Sequence, residues 1–134
     1  MNALDLLLGN EINLEKPRKE FKVKRLSNKQ HDFILTLEAV SMNDIKHLRE
    51  LYAKKDTFDE VGFTLALICY GVREFNTKID ENKDAIKQAC KAHGVANNVA
   101  LVNKLFLPGE ITEISANIME LSGNEDGAIE EVKN

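Results

Sequence analysis

The sequence predicts a mainly helical α+β protein, an N-terminal β-hairpin packed on a bundle of about four to five helices. Three observations predict it. Lys19–Leu26 and Asp32–Val40 alternate apolar and polar residues with the period of a strand. From Ser41 onward the apolar residues recur instead at helical spacing. Proline occurs only at Pro17 and Pro108, while Leu, Ile, Lys and Glu are abundant, and that balance favours helix. With 43% hydrophobic and 30% charged residues over 134 positions, the chain has the make-up of one soluble domain with one core.

Residues 1–18 read as a flexible arm in which Leu4, Leu7 and Leu8 make at most one helical turn. Residues 19–123 read as a single helical domain opened by the hairpin. Phe21 and Val23 share one face of the first strand, with Lys22 and Lys24 on the other. Phe33, Leu35, Leu37 and Ala39 share one face of the second, after a short polar link at 27–31. A lone hairpin is unstable in water, so its apolar face must lie on the helices. Ser41 caps a helix that carries Met42, Ile45, Leu48 and Tyr52 inward and fades at Lys54-Lys55. Thr57 to Glu60 forms a capping box for the next helix, whose inward face reads Phe58, Val61, Leu65, Ile68 and Val72. Phe63, Ala66, Leu67, Cys69 and Tyr70 fill the rest of its circumference, so this helix is central and buried, with Gly71 as its stop. Residues 73–82 read as a polar loop. Lys83–His93 is a short helix with Ile86, Ala89 and Cys90 inward and Gly94 at its end. A further helix over Ala96–Leu107 carries Val99, Leu101, Val102, Leu105 and Phe106.

Pro108 cannot donate the hydrogen bond that a continuing helix needs, but it suits the first turn of a new one. Glu110 and Glu113 then sit where the helix dipole favours acids. Ile111, Ile114, Ile118 and Leu121 follow as an apolar seam that ends at Ser122-Gly123-Asn124. Pro108-Gly109 is therefore a corner between two helices. It has neither the Gly-rich spacing nor the lysine of a phosphate-binding loop. Residues 124–134 hold four acids and few apolar residues and read as a mobile acidic tail.

Little in the chain points to chemistry. His31, His47 and His93 have no partners at metal-ligand spacing, and no cofactor or metal is implied. There is no GxSxG. Cys69 falls in the most apolar helix, where a thiol is inert, and it forms no CxxC with Cys90, so both are expected reduced. An enzyme is not expected. No stretch reaches the roughly 18 apolar residues of a membrane span, and nothing marks the N-terminus for export.

Charge is unevenly placed. Residues 15–30 carry seven basic side chains against two acidic, whereas 105–134 carry seven acidic against one basic. The opposed ends permit contact between copies of the chain. Lysines on an edge strand also keep strands from pairing wrongly. A small nucleic-acid-binding regulator is the alternative reading. The net charge of −4 and the lack of base-reading side chains on the helix pair argue against it.

Several segments resemble the XkdN-like phage tail assembly chaperones. They are VKRLS at 23–27, FILTLEAVS at 33–41, TFDEVGFTLALICYGV at 57–72 and, above all, LVNKLFLPGEITEISANIMELSG at 101–123 before an acidic tail ending EEVKN. Asn124 stands where the family usually places an aromatic residue, and Arg73-Glu74-Phe75-Asn76 where it often has a proline. The resemblance implies a non-catalytic protein of the bacterial host cytoplasm, absent from the mature virion. It would bind the tape measure protein and keep it soluble during tail assembly. A frameshift-extended form would recruit tail tube protein. On this reading Leu105, Leu107, Pro108, Ile111, Ser115 and Met119 are the candidate partner-binding residues. Lys22, Lys24, Arg25, Glu130 and Glu131 are candidates for charge-mediated contacts, including those of a homo-oligomer. The seam either packs on the preceding helix or docks a client helix, and both hold if its edge stays open.

Overall fold

A computed structural model describes residues 2–9, 12–123 and 127–132. It has six helices and one two-stranded antiparallel sheet: α1 (Ala3–Leu8), β1 (Arg18–Lys22), β2 (Ile34–Glu38), α2 (Met42–Tyr52), α3 (Glu60–Gly71), α4 (Asp80–Ala92), α5 (Asn98–Leu105) and α6 (Pro108–Leu121). The α+β class and the hairpin-on-helices arrangement are those expected. The helix beyond the expected number, α1, lies in the N-terminal arm. Asn2 and Asp5 cap it reciprocally and none of its residues is buried. Part of the expected arm (residues 1, 10 and 11) and part of the expected tail (124–126, 133 and 134, including Asn124) lie outside the described residues.

The hairpin pairs Phe21 with Leu35 and Lys19 with Leu37, so the alternation read from the sequence puts Leu35 and Leu37 in the core. The strands are shorter than the alternation, and the link is longer. A 3-10 turn at Lys24–Leu26 replaces the end of the first strand. Ser27 closes this turn by donating to the Val23 carbonyl (2.8 Å) and accepting from the Phe33 N–H (2.8 Å). Glu38, on the face of β2 opposite Leu35 and Leu37, is 8% exposed because Arg73 (3.0 Å) and Arg18 (3.3 Å) both reach it. A carboxylate so enclosed needs such partners.

Helix α3 is the hub. Residues Leu65 to Cys69 are all buried, and α2, α5 and α6 pack around it. Its start differs from expectation. Phe58 is held in an antiparallel bridge with Ala53, so the helix begins only at Glu60, and Asp59 caps it by accepting from the Gly62 N–H (2.9 Å). Its end differs in cause. Gly71 is the last helical residue with ordinary negative φ, and it is glycine for space: a Cβ there would lie 2.6 to 2.8 Å from the side chain of Ile118 on α6. The stretch 73–82 is also more ordered than a loop. Arg73–Phe75 forms a 3-10 turn, α4 starts at Asp80, and Phe75 is buried. Its ring meets Phe106 edge-on at 5.8 Å, and Phe106 in turn meets Phe33 at 6.3 Å. The Asn82 and Asn98 side chains donate to the Arg73 and Phe75 carbonyls (2.7 and 2.9 Å), so the turn's backbone is satisfied from two helices.

Met42, expected inward, is 84% exposed; α2 turns Leu48 to the core instead, with Ile45 and Tyr52 half-buried. No helix is long and apolar enough to cross a membrane among the described residues.

The contact under Gly71 gives a test. Ile118 is fully buried and branched at Cβ, so it cannot swing aside. Gly71→Ala should cost roughly 1–3 kcal/mol in urea unfolding through overpacking. The same change in an Ile118→Ala background should cost clearly less, since the obstructing atoms are gone.

Candidate functional site

The corner between α5 and α6 gathers the nominated residues. Phe106 and Leu107 are extended, with ψ of 146° and 156°, and break the helix before Pro108 opens the next at its first position. Leucine has no oxygen with which to cap a helix. Glu110 does the work from the third position, its carboxylate accepting from the Leu107 N–H (2.8 Å). The same carboxylate takes Arg25, from Nε to Oε2 (3.0 Å) and from Nη2 to Oε1 (2.9 Å). Arg25 Nη2 also donates to the Leu105 carbonyl at 2.6 Å. One guanidinium thus ties the hairpin's turn to the last residue of α5 and the first turn of α6. The forked geometry needs arginine; a lysine would make a point contact. The hydrogen bonds from Arg25, and then that from Leu107, hold the Glu110 carboxyl below the usual carboxylate range.

From Leu107, positions 111, 115 and 119 run along one flank of α6 at four-residue spacing. Leu107 is 53% exposed and Pro108 is exposed, whereas Leu105, Ile111, Ser115 and Met119 are half-buried. Ile114 and Ile118 between them are buried. The seam packs chiefly on α3 and β2 rather than on the preceding helix, because the sharp corner carries α6 away from α5. The opposite flank of α6 borders a cleft of about 350 Å³, with Phe21, Leu35, Leu37 and Ile114 at its floor and Lys22, Lys24, Glu113 and Asn117 around it.

The charged candidates divide. Arg25 is committed to Glu110, and Lys22 pairs with Asp32 at 3.1 Å. Lys24, Glu130 and Glu131 are exposed. The structure also opens an apolar surface that the sequence reading assigned to the core. Phe58 and Val61 are 41% and 69% exposed, and Leu51 near the end of α2 is 61% exposed. Val61 shares its helical face with Leu65 and Ile68, both buried, so its exposure comes from its place in the first turn of α3 rather than from the face it occupies. Periodicity records the face and not the length of helix that the neighbours cover.

No group of three or more His, Cys, Asp or Glu side chains among the described residues is placed to hold a metal ion. All three histidines are exposed. Cys69 and Cys90 are buried and free. Burial, and secondarily the neighbouring Cys90, pushes the Cys69 thiol up to about 12.

Two outcomes follow from this geometry. Glu110 ionises more readily in the folded chain, so the Arg25–Glu110 coupling is present at neutral pH. It is lost as pH falls below the ordinary carboxyl value of 4.5 and through the lower folded one. A double-mutant cycle with Arg25→Met and Glu110→Gln should show coupling by thermal melts at neutral pH and none in strong acid. The Cys69 thiol is neutral when folded, so stability should fall as pH rises from 9.0 toward about 12. At about pH 8 a thiol reagent should spare Cys69 in the native protein and label it after unfolding.

Comparison with known proteins agrees with the fold. The crystal structure of the protein YqbN superposes with a TM-score of 0.65 at 15% sequence identity, over 89% of this chain and 95% of that one. At that identity the likeness speaks to the fold alone. No curated protein matches the chain significantly. The family model of the phage XkdN-like tail assembly chaperone protein matches residues 4–134, which takes in the hairpin, the hub helix, the Arg25–Glu110 corner and the tail. The chain belongs to the XkdN-like family of phage tail assembly chaperones.

Proposed function

We propose that this protein binds the tape measure protein in the host cytoplasm and keeps it soluble until the tail tube polymerises around it, without catalysing a reaction. Family membership over residues 4–134 carries the reading. The physical support is apolar surface left open on a well-packed body. Leu107 and Pro108 project at the α5–α6 corner, and Leu51, Phe58 and Val61 project at the α2–α3 corner. A client helix laid along α6 would meet Leu105, Leu107, Pro108, Ile111, Ser115 and Met119 in turn, with Ile111 and Met119 at the edge of the core. A frameshift-extended form, joined at the acidic C-terminus, would recruit tail tube protein. The chaperone would then leave before the virion is complete.

The nucleic-acid alternative loses some of its footing. Arg18, Lys22 and Arg25 each hold a carboxylate of this same chain, so three of the seven cations in the basic stretch are already neutralised. Phosphate binding draws on free cations.

Co-expression with the tape measure protein encoded nearby tests the proposal. The partner should become soluble and co-purify. Leu107→Asp should cut the co-purified yield several-fold while leaving the melting curve nearly unchanged, because that side chain already faces water. A partner that stays insoluble beside a well-folded chaperone would end the reading.

A further inference from the structure

We propose that residues 128–132, Ala-Ile-Glu-Glu-Val, dock along the open edge of β1 in the same molecule as a third strand. Four observations point there. The first is an uncovered edge. The Val23 N–H donates to the Phe33 carbonyl and the Ala39 N–H to the Pro17 carbonyl, so alternate positions from Pro17 to Val23 face β2. Arg18, Glu20 and Lys22 therefore direct their N–H and C=O groups to the side where β1 has no neighbour. The outer edge of β2 is covered by contrast: Glu74 accepts the Thr36 N–H at 2.6 Å and Ser122 the Val40 N–H at 2.9 Å.

The second observation is the cleft of about 350 Å³ between the hairpin and α6, whose apolar floor is left unroofed. A strand added to β1 would lie over its mouth. The third is charge. Lys16, Lys19 and Lys24 have no carboxylate partner among the described residues. Such an edge rejects another basic strand and admits an acidic one. The segment supplies Glu130 and Glu131, flanked by Ile129 and Val132, which are 93% and 84% exposed where they stand.

The fourth is reach. Ser122 fastens the end of α6 to the end of β2, beside the point where Arg18 pairs with Glu38 and β1 begins. From there to a strand position beyond β1 is about three strand spacings, roughly 15 Å. The chain from Gly123 to Ile129 spans up to about 20 Å. The segment then runs along β1 from Arg18 toward Lys22, and the tether raises its local concentration well above that of a second copy.

The test is amide hydrogen exchange at Glu20 and Lys22 in the full chain, compared with a Glu130→Lys/Glu131→Lys variant. Docking should slow exchange at these two amides by roughly tenfold or more in the wild type, equally at low and high protein concentration. The charge-reversed variant and Ile129→Ser should both lose that protection. Adding Lys19→Glu to the charge-reversed variant should restore part of it. The substituted side chains are exposed, so a cooperative melting transition close to that of the wild type shows that the variants are folded. Equal exchange in wild type and variants overturns the proposal. So does protection that appears only at high concentration with a doubled mass, which would place the segment on a second copy. The experiment uses no client, so it stands apart from the client-holding reading.

Discussion

Helix α3 presents apolar side chains on nearly every side, and no arrangement of the chain is stable until each side is covered. That constraint organises the molecule. Helix α2 lies on one side, α5 on another, and α6 approaches closely enough that Gly71 must lack a Cβ. The hairpin, too small to stand by itself, gains its stability by placing Leu35 and Leu37 against the same body. Because the hub is shared, a loss of packing at one contact reaches every element around it. The Gly71–Ile118 contact leaves little room for adjustment, and α2 comes as close on its side, where a Cβ on Gly62 would lie 2.6 Å from the Tyr52 ring.

Around that hub the chain uses polar side chains to fix the paths of its connections. Ser27 closes the hairpin turn, Ser122 fastens the end of α6 to β2, and Asn82 and Asn98 hold the turn after α3. Arg25 is the longest-range of these fasteners, joining the first third of the chain to the corner at Pro108. Two of the segments that carry the family resemblance, VKRLS and LFLPGEI, are thus two halves of one interaction. Their shared presence has a mechanical reason: the arginine sets the direction in which α6 leaves the corner, and with it the flank that α6 shows to solvent.

On the proposed client-holding reading, the protein must expose apolar surface without collapsing or self-associating, and its fold separates the two demands. Its core is closed and every buried side-chain polar atom among the described residues has a partner. Of the apolar residues left exposed on the body, Leu107 sits at one helix corner and Leu51, Phe58 and Val61 at another, while Leu4, Leu7, Leu8 and Leu14 are exposed in the N-terminal arm. The docking proposed for the acidic end of the chain on the basic hairpin would be electrostatic in part, and so would weaken with salt.

By itself the sequence determined the period of every major element, and period is a local property. The alternation around Leu35 and Leu37, the all-round apolarity of α3 and the break at Pro108 each follow from a few neighbouring residues. Those signals were enough for the α+β class, the five helices of the body and the corner. The tertiary structure alone decided what depends on residues distant in the chain. It closed Arg25 onto Glu110, buried Glu38 between two arginines, and drew Phe75 out of a polar stretch to meet Phe106. It also left Phe58 and Val61 at the surface, ahead of and within the first turn of α3, where the covering of the hub ends. A helix with apolar residues on all sides does not record how much of its length will be covered. Its neighbours decide that, and they are specified elsewhere in the chain.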